Sequence, residues 1–411
     1  MRFADIVASS SRIAPGPSRI AERYPAARAA RRTHACTVSG VIHWRRARVQ
    51  RVIREWQGAV ELEVALVPSD PRTGGDGPDA GTVRALAYPA LVGRPEPGDE
   101  VLLNAGALIR NLGTGGYAPV VAVPDRLPAD PGADGHLVKA RYTPLQALVD
   151  GADEQGSAHH GVLRDADSVG GMPVVTADLH SALPAICVAA TADRPGVRIA
   201  FVMTDGGALP AWFSRTVDGL RRMGLLVGTV TTGQAFGGDL ECVSLHSGLL
   251  AARLVLDAHI AVVAPGPGNL GTGTRWGFSG VAAGDAVNAA AVLGGRPVAS
   301  LRVSAADPRE RHRGVSHHSL TAYGRVALAP ADVPVPDLPG EFGERVRTQC
   351  ASLAERHRLV PVDLTGLPEA LAASPVILSS MGRGLDDDPP CFLAAAAAGR
   401  WAAGLLDPAA D

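Results

Sequence analysis

Residues 259–275 read His-Ile-Ala-Val-Val-Ala-Pro-Gly-Pro-Gly-Asn-Leu-Gly-Thr-Gly-Thr-Arg. A short, β-branched, uncharged run that passes directly into glycines is the pattern of a strand covered on both faces, delivering a loop to a sheet edge. Comparable apolar runs occur at 173–176, 197–203, 225–231, 297–303 and 375–379. Helix-period stripes lie between them, for example Phe213, Val217 and Leu220, or Phe342, Val346 and Leu353. Strands alternating with helices in this way predict an α/β domain over 172–408, built on a mostly parallel three-layer sheet.

Upstream the period changes. Val60, Leu62, Val64 and Leu66 alternate with Ala59, Glu61, Glu63 and Ala65, the mark of a half-buried strand, and Gln57-Gly58 supplies a hairpin turn from a partner at 48–56. With the turns at 68–81 and 97–99 this predicts a small antiparallel β-barrel or sandwich over 35–125. A polar, Gly- and Asp-rich stretch, 126–171, is expected to be a linker with one short helix around 145–149. Residues 1–34 hold seven arginines by Arg32, three consecutive serines and only two acids, Asp5 and Glu22, which suits a disordered tail.

At 411 residues and 46% hydrophobic, the chain is long enough for two or three cores. A formal charge of -2 argues against a protein held to nucleic acid or membrane by bulk positive charge. The longest alanine-rich stretch, 392–406, is interrupted by Arg400 and is too short to span a bilayer. The five cysteines, Cys36, Cys187, Cys242, Cys350 and Cys391, show no paired spacing. A cytoplasmic homo-oligomer without membrane contact is therefore expected.

In an open α/β sheet, ligands bind outside the carboxyl ends of the strands. The residues that follow the expected strands are Asp178 and His180, then Asp205, then Gly233-Gln234. After those come the glycine loop 266–275, the segment from Asp307 to His318, and Gly382-Arg383-Gly384. Gly266, Gly268 and Gly271 match the dinucleotide spacing, but no helix opens at once and no acid closes the next strand. The loop reads better as an anion cradle made by Gly266, Gly268, Gly271, Thr272, Gly273 and Thr274, with Arg275 and Arg313 supplying positive charge. Asn-Leu-Gly-Thr-Gly also occurs at 111–115, so both glycine turns are expected to face one inter-domain cleft.

The segment 309–319 carries three of the twelve histidines and three arginines. Imidazole exchanges protons near neutral pH and ligates metals, so His317 or His318 with Asp205 is the expected acid–base pair. Adjacent side chains diverge along a strand or helix, so one of His317 and His318 is expected to face any given ion. A divalent metal would then need distant partners, with His180, His246 and His317 as the candidate set. Ser316 is expected to cap a short helix ending at Gly324, and Asp386-Asp387-Asp388-Pro389 to precede an alanine-rich helix over 390–406, with Asp as its cap and proline at its start. The cluster His43-Trp44-Arg45-Arg46-Ala47-Arg48 could stack bases and track phosphates of a single strand, although a solvated hairpin face is the simpler reading.

Five motifs in order, Gly237-Gly238-Asp239-Leu240-Glu241, Leu245-His246-Ser247-Gly248-Leu249, Gly271-Thr272-Gly273-Thr274-Arg275, His312-Arg313-Gly314-Val315-Ser316-His317-His318 and Met381-Gly382-Arg383-Gly384-Leu385-Asp386, resemble a bacterial, mainly actinobacterial, domain-of-unknown-function family, numbered three-eight-six-six. The resemblance spans about 37–406 and implies no reaction. The residues themselves point to binding of a small anionic, phosphorylated or nucleotide-like ligand at the sheet's carboxyl edge, with metal-assisted hydrolase or transferase chemistry. The alternatives are a non-catalytic ligand sensor or scaffold and a single-stranded nucleic-acid binder.

Overall fold

Alternation in the first described strands has a direct outcome. In the computed structural model, β1 (Trp44–Trp56), β2 (Ala59–Leu66), β3 (Thr82–Ala87), β4 (Glu100–Asn104) and β5 (Ala118–Ala122) close into a barrel in the order β1-β2-β3-β5-β4. Only the β3–β5 pair is parallel. Ala47, Val49, Leu62, Val64, Val101, Leu103 and Val120 fill the interior, as the period of two requires. The structure describes residues 41–68, 81–113, 115–132 and 135–406. The expected tail at 1–34, Cys36 and most of the 68–81 loop lie outside them.

Across β1 and β2, Arg51 and Arg54 lie 2.9 Å from Glu63 and Glu61, and across β1 and β4 Arg46 meets Glu100. At the β1–β2 turn, Gly58 has φ +77°, and a Cβ there would come within 2.2 Å of the Trp212 ring. The barrel docks at this point. The Trp56 indole N–H donates to the Trp212 carbonyl at 2.6 Å, and Tyr88, Tyr117, Trp212 and Phe213 pack around Ala59 and Leu86.

Residues 126–171 are fastened to the sheet domain. β6 (Leu137–Lys139) pairs with β7 (Ala147–Val149), so the expected helix around 145–149 is instead one arm of a hairpin. The chain's one lysine, Lys139, is buried with its ammonium 2.8 Å from Glu241 and donating to the Thr231 and Ala235 carbonyls.

The α/β sheet contains β8 (Pro173–Thr176), β9 (Ile199–Thr204), β10 (Gly228–Thr231), β11 (Leu240–Glu241), β12 (Ile260–Pro265) and β13 (Arg296–Ala299). After a small hairpin of β14 (Val303–Ser304) and β15 (Gly314–Val315) come β16 (Asp332–Pro336) and β17 (Arg358–Val362). All eight sheet strands are parallel, in the order β11-β10-β9-β12-β8-β13-β16-β17. Val175, Ile199, Phe201, Met203 and Val262 face one core with the helices Leu183–Asp193 and Pro389–Gly404, while Val174, Ala200, Val202, Ala261 and Val263 face the other with Leu245–Leu254 and Ala282–Val292. Every position of β8, β10 and β12 is thus buried, which is why the sequence shows unbroken apolar runs there. The alanines of the last helix have the same kind of cause. Gly399 lies so close to the helix Leu183–Asp193 that a Cβ would sit 2.2 Å from the Ile186 carbonyl, a crossing that admits only small residues.

Two expectations about strands are corrected. The run 375–379 does not join the sheet; β18 (Ser379–Ser380) pairs only with β19 (Arg383–Gly384). β16 and β17 take the outer places instead, although β16 reads Asp-Val-Pro-Val-Pro. Its prolines are tolerated because pairing with β13 is confined to Asp332, whereas Asp337 on the alternate side bonds to Val362 of β17. Pro334 and Pro336 therefore face the side where no ladder continues.

The chain leaves β8 toward β9 on one side and leaves β12 toward β13 on the other. Their carboxyl ends, adjacent in the sheet, form the switch point where the loops part and a crevice opens. Among the described residues no helix is long and apolar enough to cross a membrane.

Candidate functional site

Four loops meet at this crevice. Asp178 follows β8, Phe278 ends the glycine loop after β12, Arg302 follows β13, and the β14–β15 hairpin with its succeeding helix brings His312, Ser316, His317 and His318. The His318 ring stacks on Phe278, with centroids 3.7 Å apart and planes 4° from parallel. Its Nδ1 lies 3.3 Å from an Asp178 carboxylate oxygen and 3.2 Å from the Arg302 guanidinium. Arg302, itself buried, stands 3.8 Å from Asp178 and 4.0 Å from Asp307. Asp307 is gripped by both arms of Arg309 at 2.9 Å, which holds its carboxyl well below the usual carboxylate range. Arg383 bridges Asp307 and Asp388 at 3.4 and 3.3 Å.

Asp388 is the N-cap residue of the last helix, with proline following as expected, but its side chain does not cap. Its carboxylate accepts instead from the Ser304 hydroxyl, the Ala305 N–H and Arg383. The helix start therefore doubles as an anchor for the β14 loop.

Ser316 does cap the helix His317–Thr321, accepting the His318 N–H at 3.2 Å, and its hydroxyl lies 2.7 Å from His312 Nδ1. The helix runs on through a wide π-turn at Ala322–Val326. This cap changes what adjacent histidines can do. His317 and His318 occupy the first two positions after it, and both rings meet His312. Centroid separations are 5.0 Å for His312–His317, 4.9 Å for His312–His318 and 4.5 Å for His317–His318. The expectation that one of the pair would turn away is corrected, because the chain reverses direction at Ser316 and folds His312 back over both. Burial, reinforced by the charges of Arg302 and Arg309, pushes His312 down to about 3. Burial, with the neighbouring His318, Arg311 and Arg302, pushes His317 down to about 4. At neutral pH both imidazoles are uncharged and carry a lone pair.

His317 also forms part of the wall of a cleft of about 670 Å³ that Gly273, Arg275, Arg311, Arg325 and Glu355 help to line. The glycine loop reaches this cleft only with its tip. Thr272 N–H bonds Gly277, Ser279 N–H bonds Leu270 and Gly277 N–H bonds the Thr274 hydroxyl, so the loop closes on itself as a hairpin. The following helix waits until Ala282. The expected single cradle is therefore divided. Gly273 and Arg275 face the arginine cleft, Gly271, Thr272 and Thr274 are exposed at the tip, and Gly266 packs against the Ala208 carbonyl. Gly268 with Asn269 and Leu270 lines a second, more apolar cleft of about 580 Å³ between barrel and sheet. Gly113 and Gly115 line that same cleft, with Tyr88, Tyr117 and Phe213, but the second pentapeptide contributes only Asn269 and Leu270, so the expectation that both glycine turns face one cleft is corrected.

Other candidates lie apart. Asp205 is exposed and accepts the Gln234 N–H at 3.0 Å, leaving Asp178 as the carboxylate beside His318. His180 is buried, its Nε2 at 2.7 Å from the Ser214 hydroxyl and its Nδ1 at 3.3 Å from the Pro265 carbonyl, and burial pushes it down to about 4. His246 is exposed in the first turn of the helix Leu245–Leu254. Neither joins the ring nitrogens of His317, which group with those of His312 and His318. Arg313 points to solvent, and its neighbour Arg311 enters the cleft. Arg302 was legible in principle, as a charge closing an otherwise apolar strand run. Arg325 and Glu355 carry no local signal.

No curated protein and no solved structure is significantly similar to the chain. Residues 84–399, well over half of the chain, match the family described as Protein of unknown function (DUF3866). That stretch runs from β3 to the last helix and contains the crevice, the histidines and both clefts, so the chain belongs to the DUF3866 family.

Proposed function

We propose that this domain binds a small anionic ligand, phosphorylated or carboxylated, in the arginine cleft at the carboxyl edge of its sheet, and carries out hydrolase or transferase chemistry on it. The observation that carries the reading is the convergence of Arg275, Arg311 and Arg325 on a cavity whose wall includes an uncharged imidazole, His317. Guanidinium forks neutralise and orient phosphate or carboxylate oxygens. An imidazole held neutral keeps a ring-nitrogen lone pair at neutral pH, able to accept a hydrogen bond from a ligand hydroxyl or to bind a metal ion. Glu355 on the same wall disfavours a ligand that fills the cleft with negative charge alone, and suits one with a hydroxyl or amine beside its anionic group. A nucleotide or sugar phosphate fits both demands.

A thermal-shift screen with nucleotides, sugar phosphates and acyl-CoAs tests this. One class is expected to raise the midpoint by several degrees at a hundredfold excess over its Kd, where saturation stabilises by about 2.7 kcal/mol. The Arg275→Ala/Arg311→Ala double variant should lose that shift while keeping its ligand-free midpoint. A flat screen, or a shift that survives both substitutions, overturns the reading. Binding without turnover of any bound class would replace the enzymatic part with ligand sensing.

A further inference from the structure

We infer that His312, His317 and His318 bind one divalent transition-metal ion, zinc by preference, at the floor of the arginine cleft. This deepens the anion-cleft reading and rests on it only for the role of the ion's open position. The donor nitrogens of the three rings all lie within 4.8 Å of one another. With metal–nitrogen bonds of about 2.0–2.1 Å, a tetrahedral ion holds its donor nitrogens about 3.3 Å apart and its imidazole centroids about 5 Å apart. The centroid separations of 4.5, 4.9 and 5.0 Å already match, so small ring rotations close the set.

One of the remaining ring nitrogens, on His312, is already placed as a metal-bound imidazole requires. A ligating histidine directs its second nitrogen to a carboxylate or other fixed group, which sets the tautomer. His312 Nδ1 has the Ser316 hydroxyl at 2.7 Å; His318 Nδ1 takes the Arg302 N–H at 3.2 Å and has Asp178 Oδ2 at 3.3 Å, so His318 offers Nε2 to an ion once its Nδ1–H turns from Arg302 to Asp178. His317 Nε2 is buried without a hydrogen-bond partner, a cost that an ion would remove. That same Asp178 oxygen is buried without a hydrogen bond, 3.8 Å from Arg302, and so is open to the His318 N–H. Arg302 opposes a nearby cation, and Asp178 and Asp307 on either side offset it. An all-imidazole set without thiolate favours zinc, cobalt or nickel over magnesium or calcium. Three protein ligands leave a fourth position, and because His317 forms part of the cleft wall that position faces the arginines. A bound water or an anion's oxygen would complete the sphere there.

The test uses the full chain, purified without a histidine tag and stripped by chelator dialysis, with no anionic ligand present. Calorimetric titration with zinc chloride is expected to show one equivalent bound at submicromolar Kd. Cobalt(II) should give the visible absorption of a four-coordinate site, bleached by zinc. His317→Ala, chosen because His317 is the least buried of the three, should weaken zinc at least a hundredfold with the metal-free thermal midpoint held within a few degrees. The cobalt spectrum of the unaltered protein decides independently of any variant's folding. Absence of stoichiometric binding, a six-coordinate cobalt spectrum, or unchanged affinity in His317→Ala overturns the inference. An anion-dependent thermal shift in metal-free protein is scored separately, so either reading can fail while the other stands.

Discussion

Two stretches of this chain are rich in arginine, histidine and aromatic neighbours, 43–56 on the barrel and 309–319 beside the sheet, and the fold treats them oppositely. On β1 the guanidinium groups of Arg46, Arg51 and Arg54 extend over the surface and meet Glu100, Glu63 and Glu61 on adjacent strands. Each guanidinium is paired locally and stays largely exposed, and of the three carboxylates only Glu61 is buried. Around 309–319 the stretch's own Arg311 and Arg313 stay exposed, but its histidines turn inward onto buried charges. Asp178, Arg302, Asp307 and Asp388 are almost wholly buried, and three imidazoles share one small volume. Density of charge along a sequence therefore does not locate a site. Convergence does, and convergence is created by loops from distant strands.

The comparison can be broken most sharply at Asp388. Asp388→Ala leaves Arg383 with Asp307 alone and removes the charged acceptor for the Ser304 hydroxyl and Ala305 N–H, so unfolding in denaturant should show a loss of about 3–5 kcal/mol. A loss below about 1 kcal/mol would mean that the buried network is no more coupled than the barrel surface.

Acidification should act on the same region. His180, His312 and His317 have folded-state values pushed down to about 4, 3 and 4, while an unfolded imidazole titrates near 6.5. Below about 6.5 the unfolded chain binds the extra protons, so stability is full above that pH and falls progressively toward pH 4. Denaturant unfolding at pH 7.5 and 5.5 should give a clearly lower value at 5.5, with a shallower dependence in His312→Gln. Equal stabilities at the two pH values would show that these rings are not held neutral. The smallest effect is expected on the barrel. Replacing Arg46, Arg51 and Arg54 together by alanine should cost roughly 1–2 kcal/mol at most and leave any anion-induced thermal shift intact. Loss of salt-dependent oligonucleotide binding in that variant would instead make the barrel face the functional surface.

What the sequence made legible follows from range. The barrel hairpin and the strands at 173–176, 199–204, 228–231, 260–265 and 296–299 announce themselves because burial on one or both faces dictates local residue type. β16 and β17 were hidden because prolines and flanking charges mask strands that lie at the outer part of the sheet. Ser316 and Gly58 were readable as a cap and a turn, since each acts on its immediate neighbours. The pairing of Asp178 with His318 joins residues 140 apart, and nothing in either neighbourhood names the other. Asp388 misled for a related reason. Its position before proline is that of a cap, while its carboxylate answers to Ser304, far away in the chain.

The two clefts are walled by one loop, and the base of that loop touches the loop that follows β9 with no side chain between. A Cβ at Gly207 would lie 2.1 Å from the Gly266 carbonyl, and one at Gly266 would lie 2.2 Å from the Ala208 carbonyl. Neither glycine can be exchanged without parting two segments of main chain. Selection acting on these two positions therefore sees packing before it sees any ligand. Invariance of Gly207 and Gly266 across relatives would report the closeness of two backbones, whereas variation at Arg275 and Arg311 would report a change in what the family's members bind.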